Sequence, residues 1–555
     1  TDQSTETGID FYVLPEKYNS KKGYDRVESY GDYSVQLGLM DNSGMQMKST
    51  VVKGSPYIFS EFCDNTTFFI NSSSITEFFD GNGNSILAKE GDTITTDHIG
   101  FKSMDDENTK AKNDGSYYCM NVPEGTTFKV MVAGSRYNVK VTFPSKNENY
   151  MSLAAMTKKG DIDRYYKHGY AFVTNTHVGY TFDQANNKVV TTYTATTKTM
   201  RKGFSNETMH CLFPHQWKYS SDADNPDATY YSIRGDMKSI WANEYKTFTK
   251  PDSSMFNTTE MVEYLNQVVA SKINTAPVAD AYWEGKNVHP LAISALMADQ
   301  LGETEIREKL LKKLKSIMID WFTYDGEDDD CYLIYNKDWG TLYYPESSFG
   351  AAICDHHFTY GYFMFGAAVL ATYDKQFYND YKDMIELLVR DYADPKEPED
   401  DGDMFCKFRA FDQYSGHSWA GGYADSDSGN NQESASEALF SWVGMYLWGE
   451  VSQNSTYIDA GAYGFTTEME AIEQYWFDYD ETNWLGDHPD RVADQAYDYP
   501  FQGTGQIYGA SMGYGTYFGG QPVYVYGIQW LPISEYLTNY GMNQEKCAKI
   551  YQGLV

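Results

Sequence analysis

Hydrophobic and polar positions alternate with a period of two through much of the first part of the chain, residues 1–215. The stretch TFKVMVAGSRYNVKVTF (127–143) does so on both sides of a Gly-Ser turn, and VVTTYTATT (189–197) does so after the turn-forming DQANN. β-Branched residues and tyrosines dominate, and long helical periods are missing. This predicts a large antiparallel β-sandwich over 1–215. From 216 to 285 the signals mix, and a small connecting α/β domain is expected. SDADNPDA reads as a loop, YYSIRGDM as a strand, and TTEMVEYLNQVVASKI (258–273) as a helix with a Thr start.

Beyond 286 the period lengthens. PLAISALMADQLGETEIREKLLKKLKSIMIDWF (290–322) predicts two helices joined at Leu301-Gly302-Glu303, and QFYNDYKDMIELLVRDYADP (376–395) an amphipathic helix stopped by its proline. In ESASEALFSWVGMYLWGEV (433–451) the apolar positions 435, 438, 439, 442, 443, 446 and 447 mark one helix face. Segment 358–371 is apolar all round, which predicts an inner, fully buried helix. Half-wet helices alternating with apolar ones point to a double ring over 286–555, an (α/α) barrel or toroid. No repeat of fixed period is visible.

Composition narrows the partners. A chain of 555 residues exceeds one ordinary core, and 41% hydrophobic with 16% aromatic content is that of a folded protein. Forty-four basic against 78 acidic residues leave a net charge of −34, which repels phosphate backbones and anionic lipid. Neither a nucleic acid nor a membrane is therefore expected as partner; a neutral ligand is. No stretch approaches the length of a membrane span, no charged-then-apolar signal segment opens the chain, and TDQSTETGID reads as a mature or trimmed start. The cysteines at 63, 119, 211, 331, 354, 406 and 547 show neither CxxC nor metal-like spacing; core thiols are expected, with room for a bridge. Asn65, Asn71, Asn206, Asn257 and Asn454 stand in N-x-S/T sequons.

Two constellations carry candidate chemistry. In ICDHHFTYGYFMFGAAVL (353–370), Asp355, His356 and His357 precede the apolar helix. Asp355 is placed to cap that helix, and a capping Asp is stabilised as the anion. Burial among Tyr360, Tyr362 and Phe363 acts the other way, toward a proton-holding acid. The two histidines are more commonly core groups than ligands. A metal site would need a third or fourth ligand, and HExxH spacing is absent. In GHSWAGGYADSDSGNNQESASEAL (416–439), a loop with His417 and Trp419 leads to Glu433 and Glu437 at i, i+4, sharing a face in the first turns of a helix. The bland reading is a solvated helix start. The chemical reading is glycosidic hydrolysis, in which one carboxyl protonates the leaving oxygen and another activates water or attacks. Trp339, Tyr343, Tyr360 and Trp419 would then offer stacking faces to sugar rings.

At these residues the chain resembles family 81 of the glycoside hydrolases, the endo-β-1,3-glucanases. The resemblance is carried by KGSPYIFSEF (53–62), DWGTLYYPESSFGAAICDHHFTYGYF (338–363), VRDYADP (389–395) with FRAFDQYSGHSWAGG (408–422), and NNQESASEALFSWVGMYLWGE (430–450). GIQWLPISEYLTNYG (527–541) is similar to the family's closing segment. The resemblance implies an N-terminal β-sandwich, a small α/β linker domain and a C-terminal (α/α)6 barrel. It also implies an inverting mechanism, with Asp355 as general acid, Glu437 as general base and Glu433 as a neighbour that tunes or positions the water. His356, His357, Tyr360, Trp339, Tyr343, His417 and Trp419 would line the sugar site. Two departures stand out: Cys354 replaces the family's Asn and Thr359 its His, and less β structure than usual precedes KGSP. The expectation is a secreted, monomeric, metal-independent enzyme without cofactor, acting on laminarin-, curdlan- or callose-type β-1,3-glucan. A metal-dependent hydrolase using the DHH cluster, and a β-glucan-binding protein without turnover (hinted at by Thr359), are the alternatives.

Overall fold

A computed structural model describes residues 3–4, 11–103, 116–133, 137–232, 234–249, 261–345, 353–402, 404–421, 429–479, 503–509, 511–513, 515–532 and 543–554. The two-residue alternation forms sheet where expected. Thr127–Val132 pairs antiparallel with Tyr137–Thr142, the Gly134-Ser135 turn lying outside the described residues, and Tyr137–Thr142 pairs in turn with Thr67–Ser72. This register aligns Phe128, Val141 and Phe68 in one row and Val130, Val139 and Ile70 in the next, all fully buried. Burying each such side chain contributes about 1.5–3 kcal/mol, and a slip of one residue would turn both rows to solvent.

That five-stranded sheet shares its core with a nine-stranded sheet, whose Phe78, Ile99, Phe101, Met120 and Leu153 complete the cluster. The residues ahead of Lys53 supply edge strands to both, Tyr12–Pro15 to one and Tyr24–Gly31 to the other. A long hairpin follows, Ala171–Asp183 with Lys188–Thr199, turning at DQANN where Asn187 takes a positive φ of 48°. Its second strand also pairs with Glu244–Thr249. YYSIRGDM, expected as one strand, is instead the bend of a hairpin between Ala228–Ser232 and Gly235–Trp241. Gly235, at φ 98°, makes that reversal possible.

The helices follow their predicted spans closely. They are α1 (Met261–Lys272), α2 (Ala281–Gln300), α3 (Thr304–Trp321), α4 (His356–Tyr373), α5 (Lys375–Ala393) and α6 (Ala435–Ser452), and α7 (Ser455–Tyr475) follows them with no counterpart among the predicted spans. The Thr258 start expected for α1 lies outside the described residues. Helix α2 begins nine residues before the predicted 290 because the Asp280 side chain caps it, accepting from Trp283 N at 3.2 Å, and Pro290 is carried inside. Gly302, at φ 75°, ends α2 before α3.

Close approaches fix how the apolar helices run. A Cβ on Gly361 of α4 would stand 3.0 Å from Ser441 of α6, and one on Gly444 of α6 would stand 2.8 Å from Phe365 of α4. Gly285 and Gly366 bring α2 and α4 equally near through Tyr362 and Val288. Partners rise together in number, so α2, α4 and α6 run parallel. Their N-terminal ends meet on one side, with α3, α5 and α7 as the returning, outer helices. As predicted, residues 356–371 of α4 are buried throughout.

All seven cysteines are free thiols, so the allowance for a bridge is withdrawn. Asn65 is 1% exposed and donates to the Gln46 and Cys63 carbonyls, which closes its sequon to modification. Among the described residues no helix is long and apolar enough to cross a membrane.

Candidate active site

The parallel run of α4 and α6 places Asp355, at the start of one, beside Glu437, in the first turn of the other. Asp355 does not cap its helix through its side chain. Its backbone is left-handed (φ 58°), whereas a capping residue is extended, so the carboxyl is turned away from the free N–H groups. Ile353 is left-handed as well (φ 53°), and such non-glycine positions cost about 1–2 kcal/mol each. The conformation is held by the Asp355 amide donating to the Ala420 carbonyl at 2.9 Å. The Cys354 thiol, itself pushed up to about 12 by burial and by Asp355, donates to Asp355 Oδ1 at 3.5 Å. Burial, then the charges of Glu437 and Glu433, push Asp355 up to about 7.

Glu437 is 4% exposed, and its Oε1 accepts from Tyr282 (3.2 Å), Tyr362 and Lys286. Glu433 was expected in the same helix. It stands instead just ahead of α6, because Asn431–Gln432 pairs as a strand with Ile507 and Tyr508. Gln506 donates to Glu433 Oε2 at 3.1 Å. Burial nonetheless pushes Glu433 up to about 7, the Gln506 bond opposing and Glu437 reinforcing the shift. Three carboxyls thus interact in one place, with Lys286 bound to one of them. Lys286 on Glu437, and burial that favours the uncharged forms of Asp355 and Glu433, lower the negative charge of the cluster, which suits an uncharged ligand.

The DHH run divides. His356 turns away from Asp355 to Asp391, with Nδ1 2.8 Å from Oδ2, while Asp391 also accepts from Arg409, Thr341 Oγ1 (2.8 Å) and the Leu342 amide (2.6 Å). Burial opposes charge on Asp391, but Arg409 and His356 outweigh it and hold the carboxyl below its ordinary range. His357 is pushed down to about 3 by burial, and its Nε2 accepts from Gln432 at 3.1 Å. The three side chains of the proposed metal cluster therefore face different partners. Among the described residues no group of three His, Cys, Asp or Glu side chains is arranged to hold a metal. Replacing Asp391 with Leu should destabilise the fold by about 3–5 kcal/mol, because the half-buried Arg409 and the buried His356 both lose their carboxylate partner. Urea unfolding measures this, and a loss below about 1 kcal/mol would show that water replaces the carboxylate.

The residues expected to line a sugar site separate into two groups. Tyr360 is fully buried with its ring against His356 (4.7 Å between centroids), and His417 is buried between the Ser418 carbonyl (2.9 Å) and Arg234 (3.3 Å). With His356 and His357 they are enclosed, whereas the expectation had them lining the sugar site. Trp419 is half-buried, its Nε1 donating to Asp412 at 3.1 Å, one residue from the Ala420 carbonyl that holds Asp355. Tyr343 is half-buried and Trp339 is 59% exposed, on the hairpin whose Thr341 and Leu342 bind Asp391. The polar turn at 422–428 lies outside the described residues. Sequence reasoning missed Tyr282, Lys286, Gln506 and Tyr517. Tyr517, 69% exposed, has its hydroxyl on Asn431 (3.2 Å) and is electrostatically coupled to Glu433 and Asp355. One signal was available for Lys286: a lone cation within the otherwise apolar or neutral run GKNVHPLAISAL.

Residues 253–547 match the Glycosyl hydrolase family 81 C-terminal domain. A glucan endo-1,3-beta-D-glucosidase of Acetivibrio thermocellus is 32% identical over 82% of this chain and 56% of its own length. One from Thermobifida fusca is 29% identical over 96% of this chain and 65% of its own. The chain thus spans less than two thirds of either relative. A solved mutant of glycoside hydrolase family 81 from Clostridium thermocellum superimposes with a TM-score of 0.84 at 28% identity, over all of this chain and 73% of that one. With a family domain matched across the helical half and a full-length structural counterpart, this chain belongs to glycoside hydrolase family 81.

Proposed function

We propose that the chain hydrolyses β-1,3-glucan internally and with inversion. In this reading Asp355 is the general acid, Glu437 the general base and Glu433 the neighbour that sets the water's environment. One observation carries it: of three interacting carboxyls, Asp355 is pushed up to about 7 by burial and its two acidic neighbours, while Glu437 holds a lysine. That is the division of labour that glycosidic cleavage asks of its acid and base. The names of the two bacterial relatives support the substrate class. Exposed rings at Tyr517 and Trp339 support stacking against sugar faces. In the same reading residues 1–215 form a β-sandwich domain, 216–285 a small α/β domain and 286–555 an (α/α)6 barrel. The parallel inner helices α2, α4 and α6 support the barrel. The protein is taken to be secreted and monomeric, and to work on laminarin-, curdlan- or callose-type chains by proton transfer alone.

Release of oligosaccharides and reducing ends from laminarin and curdlan tests the activity, and an inert protein would sink it. The stereochemistry is more searching. An inverting site holds acid and base about 6.5–9.5 Å apart to admit a water, so the first product should be the α-anomer. NMR in the first minutes, before mutarotation, reads this. A β-anomer appearing first would mean a covalent intermediate and would end the Glu437 assignment.

The acid also sets a pH limb. Because Asp355 must carry its proton, and burial with Glu437 and Glu433 sets its pKa at about 7, kcat/KM should fall as pH rises through that value. A profile flat to about pH 9 would take the acid role from Asp355.

A further inference from the structure

We propose that Lys286, Tyr282 and Tyr362 are positioning residues that tie down Glu437 through Oε1 and thereby reserve Oε2 as the atom that takes the proton from water. The inference deepens the glucanase reading and rests on it. All three donors converge on the same oxygen: Tyr282 at 3.2 Å, Tyr362 and Lys286. Among the described residues Oε2 receives no hydrogen bond. The lysine is itself caged. Its Nζ donates to the Tyr362 hydroxyl at 2.8 Å and lies 4.7 Å and 5.0 Å from the ring centres of Tyr282 and Tyr362. Gly285 makes the cage possible, since a Cβ there would meet Tyr362 Cδ2 at 2.6 Å.

A carboxylate whose one oxygen is saturated cannot rotate without breaking charge-assisted bonds. Its second oxygen is then held in one direction throughout turnover. Among the described residues the remaining charged groups facing Glu437 are Asp355 and Glu433, both of which disfavour another anion beside them. Lys286, bound to Oε1, is the cation that opposes them. In the step itself, the water oxygen bonds to the anomeric carbon as its proton passes to Oε2. The bond from that carbon to the glycosidic oxygen breaks, and that oxygen receives the Asp355 proton.

The test is the pH profile of kcat and KM on a soluble β-1,3-gluco-oligosaccharide for wild type, Lys286→Met, Lys286→Arg and Tyr362→Phe. Without its cation Glu437 binds a proton more readily, so in Lys286→Met the acidic limb of kcat should move up by about one pH unit or more. The loss is then greatest at the lowest pH, with KM little changed. Lys286→Arg should restore most of the limb, and Tyr362→Phe should shift it in the same direction by less. Repeating Lys286→Met in a Glu433→Gln background assigns the limb to Glu437, because the shift must persist there. A uniform loss of kcat with the limb unmoved, or a rise in KM alone, would overturn the inference while leaving the glucanase reading in place. If Lys286→Met does not fold, Tyr362→Phe and Tyr282→Phe carry the same test, and unmoved limbs in both overturn it. A wild type that releases no reducing ends at any pH removes the reading, and the inference falls with it.

Discussion

Replacing Asp355 with Asn is expected to lower glucan turnover by about 10²–10⁴-fold, the usual contribution of a general acid, while the protein stays folded. The amide is nearly isosteric, so the left-handed turn and the bond from its backbone to the Ala420 carbonyl are preserved. What disappears is the proton for the leaving oxygen. Stability should move the opposite way to activity above neutral pH. The folded-state pKa of Asp355 is raised to about 7 by burial and by Glu437 and Glu433, so the folded state holds a proton that the unfolded chain releases. That contribution is complete below the ordinary carboxyl pKa of about 4 and is lost as pH rises through 7. Asn has nothing to lose. Its Tm at about pH 8 should therefore equal or exceed that of wild type. An unfolded variant, or one with full activity, would return Asp355 to a structural role.

Glu437→Gln should be nearly as damaging, about 10²–10⁴-fold in kcat, and more so than Glu433→Gln. Glutamine cannot accept the water's proton, and its amide would confront Lys286 without the negative charge that cation binds. Glu433 stands ahead of α6 and bonds to Gln506, one step from the lysine. Its removal should relieve Glu437 and Asp355 of a neighbouring carboxyl rather than delete the base. Glu433→Gln is accordingly expected to lower Asp355's pKa and move the basic limb of the profile downward, with a smaller loss at low pH. Equal and mild losses in both variants would mean that the pair is only a polar helix entrance.

Much of this was legible before the fold was known. A row such as Phe128, Val130, Val139 and Val141 declares one buried face of a sheet, because side chains alternate whatever the partner strand. The unbroken apolar run 358–371 likewise declares a helix without a wet side, and α4 has none. Less visible was how local rules give way to contacts. Asp355 has the residue type and position of a cap, yet the hydrogen bond that its amide donates to the Ala420 carbonyl holds it in a conformation that does not cap. His356 and His357, adjacent in sequence, point to Asp391 and Gln432 because consecutive helical residues face different directions.

By itself, then, the sequence determined the β-rich first part, the helices that follow, the acidic character that favours a neutral ligand, and the carboxyl residues themselves. These depend on periodicity, composition and residue type, which are properties of short stretches. Only the tertiary structure decided which carboxyl is pushed toward its protonated form by burial and which one binds a lysine. That choice depends on Lys286, 151 residues from Glu437, and on the parallel packing of α2, α4 and α6 through Gly285, Gly361 and Gly444. A pKa is set by burial and by the charges within a few ångströms, and no spacing along the chain encodes that distance.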